Sequence, residues 1–138
     1  MAAPFSGGCA CGAVRYECSV EPMMAGNCHC RDCQQATGSA YASVFFMPRN
    51  AVKITGEVKY YEVKGESGNT LSRGFCLICG SRLFGMPALM PEAMGIMASS
   101  LDDPSSHRPT IDIYTSSAQS WGYMNPELPK SPKGPPTS

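Results

Sequence analysis

Three cysteines occupy a span of six residues in the stretch Asn27–Gln34, which reads Asn-Cys-His-Cys-Arg-Asp-Cys-Gln. Cys28 and Cys30 are too close in sequence for an unstrained disulfide, which needs Cα atoms roughly 5.5 Å apart. A metal ion meets no such obstacle, because three thiolates fill three positions of a tetrahedral zinc and leave the fourth open. The spacing therefore predicts a metal site at Cys28, Cys30 and Cys33, which we call the trio.

Two further cysteine pairs have metal-ligand spacing. Cys9 and Cys11 form a C-x-C pair between glycines, and Cys76 and Cys79 form a C-x2-C knuckle followed by Gly80. A closed structural zinc needs four ligands, which the two pairs together supply. This count favours one site made by both pairs, which we call the quartet. The alternative joins Cys76 and Cys79 to two members of the trio.

The cysteine content separates two classes of protein. Eight cysteines in 138 residues indicate either a disulfide framework or metal sites in a reducing compartment. Met1–Gly8 has no signal-peptide pattern, and no stretch approaches the roughly 20 apolar residues of a membrane span. We therefore expect a cytoplasmic, zinc-binding protein without a membrane partner. Eleven basic and eleven acidic residues also argue against a nucleic-acid partner.

Four residues near these motifs have alternative roles. His29 should point away from a metal held by its neighbours, since side chains alternate in an extended loop; it could fix the loop or act as an acid or base. Arg31 either places a positive charge beside the thiolates, which would help keep them ionised, or is a solvated loop side chain. Cys18 is expected to be a buried, small apolar side chain. Asp102 is more typical of a turn residue than of a catalytic carboxylate.

The elements that must position these residues are short strands separated by Gly and Pro. Arg31 to Thr37 is expected to form a helical turn ended by Gly38. Ala51–Thr55 and Glu57–Val63 are expected to form a hairpin around Gly56. The remaining predicted strands are 14–18, 23–27, 41–46, 70–75, 82–86, 94–98 and 110–114.

The pattern predicts a mainly β fold of several short, coiled antiparallel sheets around zinc knuckles. Residues 1–122 would form this domain, and residues 123–138 a Pro-rich tail that is flexible or extended. His107 is expected at the surface. Trp121, the single tryptophan, is expected to cap the core or line a pocket near the sites.

The motifs together resemble a known family, the glutathione-dependent formaldehyde-activating enzymes, also called the centromere-protein-V domain. The resemblance spans roughly residues 6–122 and is carried by the seven spaced cysteines, by Arg73-Gly74-Phe75 before the second knuckle, by Leu101–Pro104 and by Trp121. It implies an Mss4-like fold with two zinc ions per chain. The quartet would hold the structural zinc, and the trio the catalytic one.

The resemblance also implies an activity, that of a carbon–sulfur lyase that joins formaldehyde to glutathione. A small thiol such as glutathione and a small aldehyde would be its partners. Arg49, Arg73 and Arg82 are candidate anchors for substrate carboxylates by charge alone. The rival interpretation is a non-catalytic, zinc-stabilised protein-interaction module. A third is a nucleic-acid- or chromatin-associated module, which the balanced charge disfavours, and an intermediate possibility is redox chemistry at a metal-free trio.

Overall fold

The structure is a computed structural model that describes residues 1–135. It contains a small and a large β-sheet and one α-helix within this part of the chain. The ten strands are β1 (Phe5–Gly8), β2 (Arg15–Cys18), β3 (Met24–Cys28), β4 (Ala42–Pro48), β5 (Val52–Thr55), β6 (Val58–Lys64), β7 (Thr70–Cys76), β8 (Arg82–Pro87), β9 (Ala93–Met97) and β10 (Asp112–Ile113). The predicted mainly β fold is confirmed.

The larger sheet positions the trio and one half of the quartet. Its strand order is β10-β3-β4-β9-β8-β7-β6, and the smaller sheet has the order β1-β2-β5. Neighbouring strands are antiparallel except for β10, which pairs with β3 in parallel. As a result β3 brings the trio, and β7 the second knuckle, to the same sheet.

The helix α1 (Arg31–Thr37) follows the trio's second cysteine, as the sequence predicts. Gly38 ends it in the left-handed conformation with φ 71°, and its N–H donates to the Gln34 carbonyl. Glycine adopts this conformation without the steric cost that a Cβ would add. Gln34 is buried, and its amide nitrogen donates to the His29 carbonyl at 2.8 Å. This contact fixes the helix against the loop that carries the trio.

The predicted hairpin around Gly56 is wrong, although both of its strands exist. β5 pairs with β2 in the small sheet, and β6 pairs with β7 in the large one. Gly56 has φ 94° and lies against the Ala13 backbone, where the chain crosses from one sheet to the other. The alternating pattern of a strand does not specify its partner, because any antiparallel neighbour satisfies the same alternation.

The core consists of two buried clusters. The larger fills the space between the sheets and includes Tyr16, Phe45, Leu83, Phe84 and Ile96. The smaller surrounds the trio and includes Ala42, Met97 and Ile113. Cys18 is fully buried in the larger cluster, as expected.

The Pro-rich stretch runs beside β10 over part of its length. Asp112 N–H donates to the Pro129 carbonyl, Ser131 N–H to the Asp112 carbonyl, and Tyr114 N–H to the Lys133 carbonyl. This part of the stretch is therefore hydrogen-bonded to the domain, with a β-bridge between Lys130 and Asp112. The division at residue 122 stays a prediction, and the tail's last residues, 136–138, lie outside the described part.

Among residues 1–135, none of the helical segments combines the length and the apolar character that crossing a bilayer requires.

Candidate metal centres and active site

The quartet is assembled from two turns distant in sequence. Cys9 and Cys11 lie in the turn between β1 and β2, whereas Cys76 ends β7 and Cys79 lies in the turn before β8. All four sulfur atoms lie within 4.8 Å of one another. The Cys11 sulfur is 3.6 Å from that of Cys9 and 3.8 Å from that of Cys76. Four sulfurs at these distances could surround one metal ion.

The backbone of each turn is shaped for this purpose. Gly12 and Gly80 have φ values of 82° and 77°, which side-chain-bearing residues rarely adopt. In the second knuckle, Gly80 N–H donates to the Cys76 carbonyl at 2.8 Å, and Ile78 N–H donates to the Cys76 sulfur at 3.4 Å. An N–H aimed at a sulfur stabilises its thiolate form, as a metal ligand requires.

The trio lies where β3 ends and α1 begins. Cys28 ends β3, Cys30 is the N-cap of α1, and Cys33 is in its first turn. Their sulfur atoms also lie within 4.8 Å of one another, and the three residues are only 6–8% exposed. Cys33 N–H donates to the Cys30 sulfur at 3.2 Å, so that this sulfur caps the helix. The trio is therefore more enclosed than the quartet, whose Cys11 and Cys79 are exposed.

Both clusters have donors that fit zinc. All eight cysteines are free thiols, so neither cluster is closed by a disulfide. Soft thiolates in a four-member group suit a closed tetrahedral zinc. Within residues 1–135, no histidine or carboxylate joins the three sulfurs of the trio. The trio thus offers three ligands and one position for another molecule.

The close packing of the trio separates the pKa values of its members. The pKa of Cys30 is lowered to about 2, because the thiols of Cys28 and Cys33 and the Cys33 N–H donate to its sulfur. The pKa of Cys28 is raised, because its thiol donates to the sulfurs of Cys30 and Cys33 and because it is buried. Without metal, negative charge therefore concentrates on Cys30.

The cation that contacts the trio is Arg73, whereas Arg31 is solvated, the second of the two roles that the sequence left open for it. The Arg31 guanidinium is exposed and donates to Gln34 Oε1. Arg73 is 4% exposed, and its Nη2 lies 3.6 Å from the Cys33 sulfur. Its Nε and Nη2 donate to Asp32 Oδ2 at 3.1 and 2.5 Å. Little in the sequence indicates this contact, since Arg73 is 40 residues from Cys33 and only the tertiary structure brings β7 next to α1.

His29 faces away from the trio, as strand alternation predicts. Its Nε2 lies 2.9 Å from Asp112 Oδ1, and both side chains are buried. The other carboxylate oxygen of Asp112 accepts from Lys130 Nζ at 2.9 Å. The pKa of Asp112 is lowered, because the hydrogen bonds from Lys130 and His29 outweigh its burial. His29 is thus anchored to β10 and, through Asp112, to the Pro-rich stretch.

An open cavity of about 510 Å³ borders the quartet, and none of the three trio cysteines is among the residues that line it. Cys9 of the quartet lines it on one side. Met97, which packs against the trio, and Ala36 of α1 line it on another. Arg15 and Arg82 are its cationic residues. A volume of this size is typical of small-molecule sites.

The candidate carboxylate Asp102 lines this cavity but is engaged in an ion pair. Arg15 donates to both of its oxygens, at 2.8 and 2.5 Å, and Ser6 Oγ donates at 2.7 Å. These hydrogen bonds lower the pKa of Asp102 to about 2. The side chain therefore ties β1 and β2 to the segment after β9, in agreement with the structural interpretation.

Among the candidate anchors for substrate carboxylates, only Arg82 lines the cavity. Its guanidinium lies 5.2 Å from the centre of the Tyr61 ring. Arg73 is committed to Asp32 and Cys33, and Arg49 donates to Met86 Sδ. Arg15, which sequence reasoning did not single out, is the other cavity-lining arginine.

Two aromatic residues lie elsewhere than expected. Trp121 is 71% exposed and does not line the cavity, so that the expectation that it caps the core is wrong. His107 is half-buried rather than a surface residue, because its ring packs near Phe45 and its Nε2 lies 2.8 Å from Ser43 Oγ. A lone histidine in a loop gives no sequence signal of such packing.

Comparison with known proteins supports the fold and the motifs. A Penicillium rubens protein named "Putative glutathione-dependent formaldehyde-activating enzyme" is 34% identical over 86 residues. The match covers 59% of this chain and 44% of that relative, so that the chain spans less than half of the relative's length. A crystal structure of a Rhodobacter sphaeroides protein, 19% identical, has a TM-score of 0.57 and covers 91% of this chain and 98% of that one.

A family model matches most of the chain. Residues 4–117, which include both cysteine clusters, match the model described as glutathione-dependent formaldehyde-activating enzyme. The structure brings together the same seven cysteines on which the sequence resemblance rests. The chain therefore belongs to the glutathione-dependent formaldehyde-activating enzyme family.

Proposed function

We propose that the chain is a carbon–sulfur lyase that adds formaldehyde, or a related small aldehyde, to glutathione or a similar small thiol, reversibly. In the forward direction the sulfur of the thiol forms a bond to the carbonyl carbon, and the C=O π bond breaks. The proton lost by the thiol ends on the oxygen, so that the product is a hydroxymethyl thioether. In the reverse direction the C–S bond breaks and both substrates return.

The observation that carries the proposal is a buried trio of sulfurs with no fourth protein ligand among the described residues. The quartet would hold a structural zinc ion and the trio a catalytic one. A zinc ion at an open site lowers the pKa of a bound thiol and so supplies the nucleophile at neutral pH. A site that only stabilised the fold would be expected to use four protein ligands, as the quartet can.

The chain's own residues orient and enclose the reactants. The apolar side chains packed around the trio, including Ala42, Met97 and Ile113, limit contact with water. The cavity beside Met97 has room for the body of a peptide-like thiol. Arg82, which is exposed on its wall, would bind a substrate carboxylate.

Replacing one sulfur tests this function. With zinc-loaded protein, Cys30→Ser should lower the rate of adduct formation from glutathione and formaldehyde to the uncatalysed rate, because the trio loses its central ligand. Cys18→Ala is the matched control, since Cys18 is buried outside both clusters. Exchange spectroscopy by NMR measures the rate, and metal analysis should give about two zinc ions per wild-type chain. Unchanged turnover in Cys30→Ser contradicts a catalytic role for the trio.

The second candidate function is a zinc-stabilised interaction module. Leu77 and Ile78 at the tip of the second knuckle favour it, since both are apolar and exposed, Ile78 by 78%. This module would bind zinc at both clusters but would not accelerate adduct formation with any small thiol. About one zinc per chain together with an oxidisable trio would instead support redox chemistry.

A further inference from the structure

Arg73 is a buried cation in contact with the trio that the proposed reaction has not yet used. It lies on β7, three residues before Cys76, and its guanidinium reaches across to α1. One end of the guanidinium contacts both Asp32 and the Cys33 sulfur. A buried charge is costly unless it is paired, and Asp32 supplies that pairing while Nη2 also reaches the Cys33 sulfur.

Formal charges show what such a cation does at an open site. Three thiolates and one divalent ion sum to about −1 (+2 − 3), and an incoming thiolate makes this about −2. In a buried site of low effective dielectric, each added negative charge is strongly disfavoured. Asp32 and Arg73 together add no net charge, but the pair is oriented so that the positive end, Nη2, which also donates to Asp32, is the part that contacts the Cys33 sulfur.

We propose that Arg73 is a positioning residue that holds Cys33 and supplies the counter-charge that lets an anionic fourth ligand, the thiolate of the substrate, enter the trio. This inference rests on the proposed function. It assigns Arg73 a role different from that of a carboxylate anchor. It also predicts that removing Arg73 weakens the binding of an anionic fourth ligand, such as a thiolate, more than that of a neutral one.

Cobalt(II) in place of zinc reports on the trio without any turnover. Thiolate-to-cobalt absorption measures metal binding, and its change on titration with glutathione or with neutral imidazole measures binding of the fourth ligand. In Arg73→Met, cobalt binding at the trio should weaken about 10- to 100-fold, the usual cost of losing a group that supports a metal ligand. Glutathione binding should weaken by a larger factor than imidazole binding.

Three further variants separate charge from structure. Arg73→Lys keeps the charge and should recover most of the glutathione binding. Asp32→Asn removes the carboxylate but leaves Arg73 beside Cys33, so that glutathione should bind as in the wild type or more tightly. Arg31→Met is the matched control, since Arg31 lies beside Asp32 on α1 but its guanidinium donates to Gln34. It should behave as the wild type.

The outcomes distinguish the two proposals. Equal losses of glutathione affinity in Arg73→Met and Asp32→Asn would overturn the counter-charge role. They would indicate that the Arg73–Asp32 ion pair matters only as a structural link. Equal losses of glutathione and imidazole binding in Arg73→Met would overturn the counter-charge role as well. If the wild-type trio binds neither cobalt nor glutathione, it is the proposed function that fails. Cobalt bound at the quartet shows that each variant is folded.

Discussion

At the scale of single residues, buried polar side chains set the conditions around the trio more than the cysteines' immediate neighbours do. Arg73 and Asp112 are both far in sequence from the trio, and both are buried. Arg73 binds Asp32, and Asp112 binds His29, so that each contacts a residue next to a trio cysteine. A buried charge must be paired, so that these contacts are obligatory for the fold. Arg31, which is adjacent in sequence, is exposed and has no such constraint.

His107 should make the stability of the folded chain depend on pH. Its pKa is lowered from the usual 6.5 by burial, and further by the charges of Arg108 and the N-terminus. Below pH 6.5 the unfolded chain therefore binds a proton that the folded chain does not, and stability falls as the pH is lowered. Above pH 6.5 the histidine is neutral in both states and this effect vanishes.

Comparing the wild type with His107→Gln isolates this effect, since metal loss in acid affects both proteins. The free energy of unfolding of the wild type should fall relative to that of the variant as the pH is lowered below about 6.5, the pKa of the unfolded chain's histidine. Urea unfolding at several pH values measures it. Parallel curves for the two proteins would contradict a neutral, buried His107.

At the scale of elements, glycines decide where the strands turn. The chain leaves the small sheet for the large one at Gly56, whose φ is 94°. A Cβ at this position would lie 2.0 Å from the Ala13 carbonyl oxygen. The crossing is thus possible only with glycine or after a backbone shift, and it separates β5 from β6.

Gly56→Ala should therefore destabilise the domain by about 1–3 kcal/mol or more, because it combines a strained φ with a backbone clash. Gly68→Ala is the matched control, since Gly68 has a similar φ of 83° but open space around its Cα. Its cost should be smaller, about 1 kcal/mol. Thermal unfolding of both variants measures the difference. Equal losses would mean that the contact with Ala13 does not matter.

At the scale of the whole molecule, the quartet ties together parts of the chain that are distant in sequence. Cys11 and Cys76 are 65 residues apart, and one belongs to the small sheet's turn while the other ends a strand of the large sheet. A metal ion at the quartet would join the two sheets at one end. The trio, by contrast, lies within a single strand–helix junction.

Metal removal should reveal this difference. Cys76→Ser should lower the melting temperature more than Cys30→Ser, because a zinc ion held by the quartet would link the two sheets and this variant would lose it. A chelator should lower the melting temperature of the wild type and of Cys30→Ser, but should change that of Cys76→Ser less. Calorimetry with parallel zinc analysis measures both effects. Equal melting temperatures for the two serine variants would contradict a structural role confined to the quartet.

The sequence by itself determined the trio, the helix that follows Cys30 and the mainly β fold, because these depend on residues close together in the chain. Counting ligands favoured the quartet, but only the tertiary structure joined its two pairs, since they are distant in sequence. Glycine positions likewise fixed the turns at Gly38 and Gly80. The partners of β5 and β6, the cation beside Cys33 and the packing of His107 were decided only by the tertiary structure. Each of these depends on which distant segments bury one another, and alternation or charge alone does not select the partner.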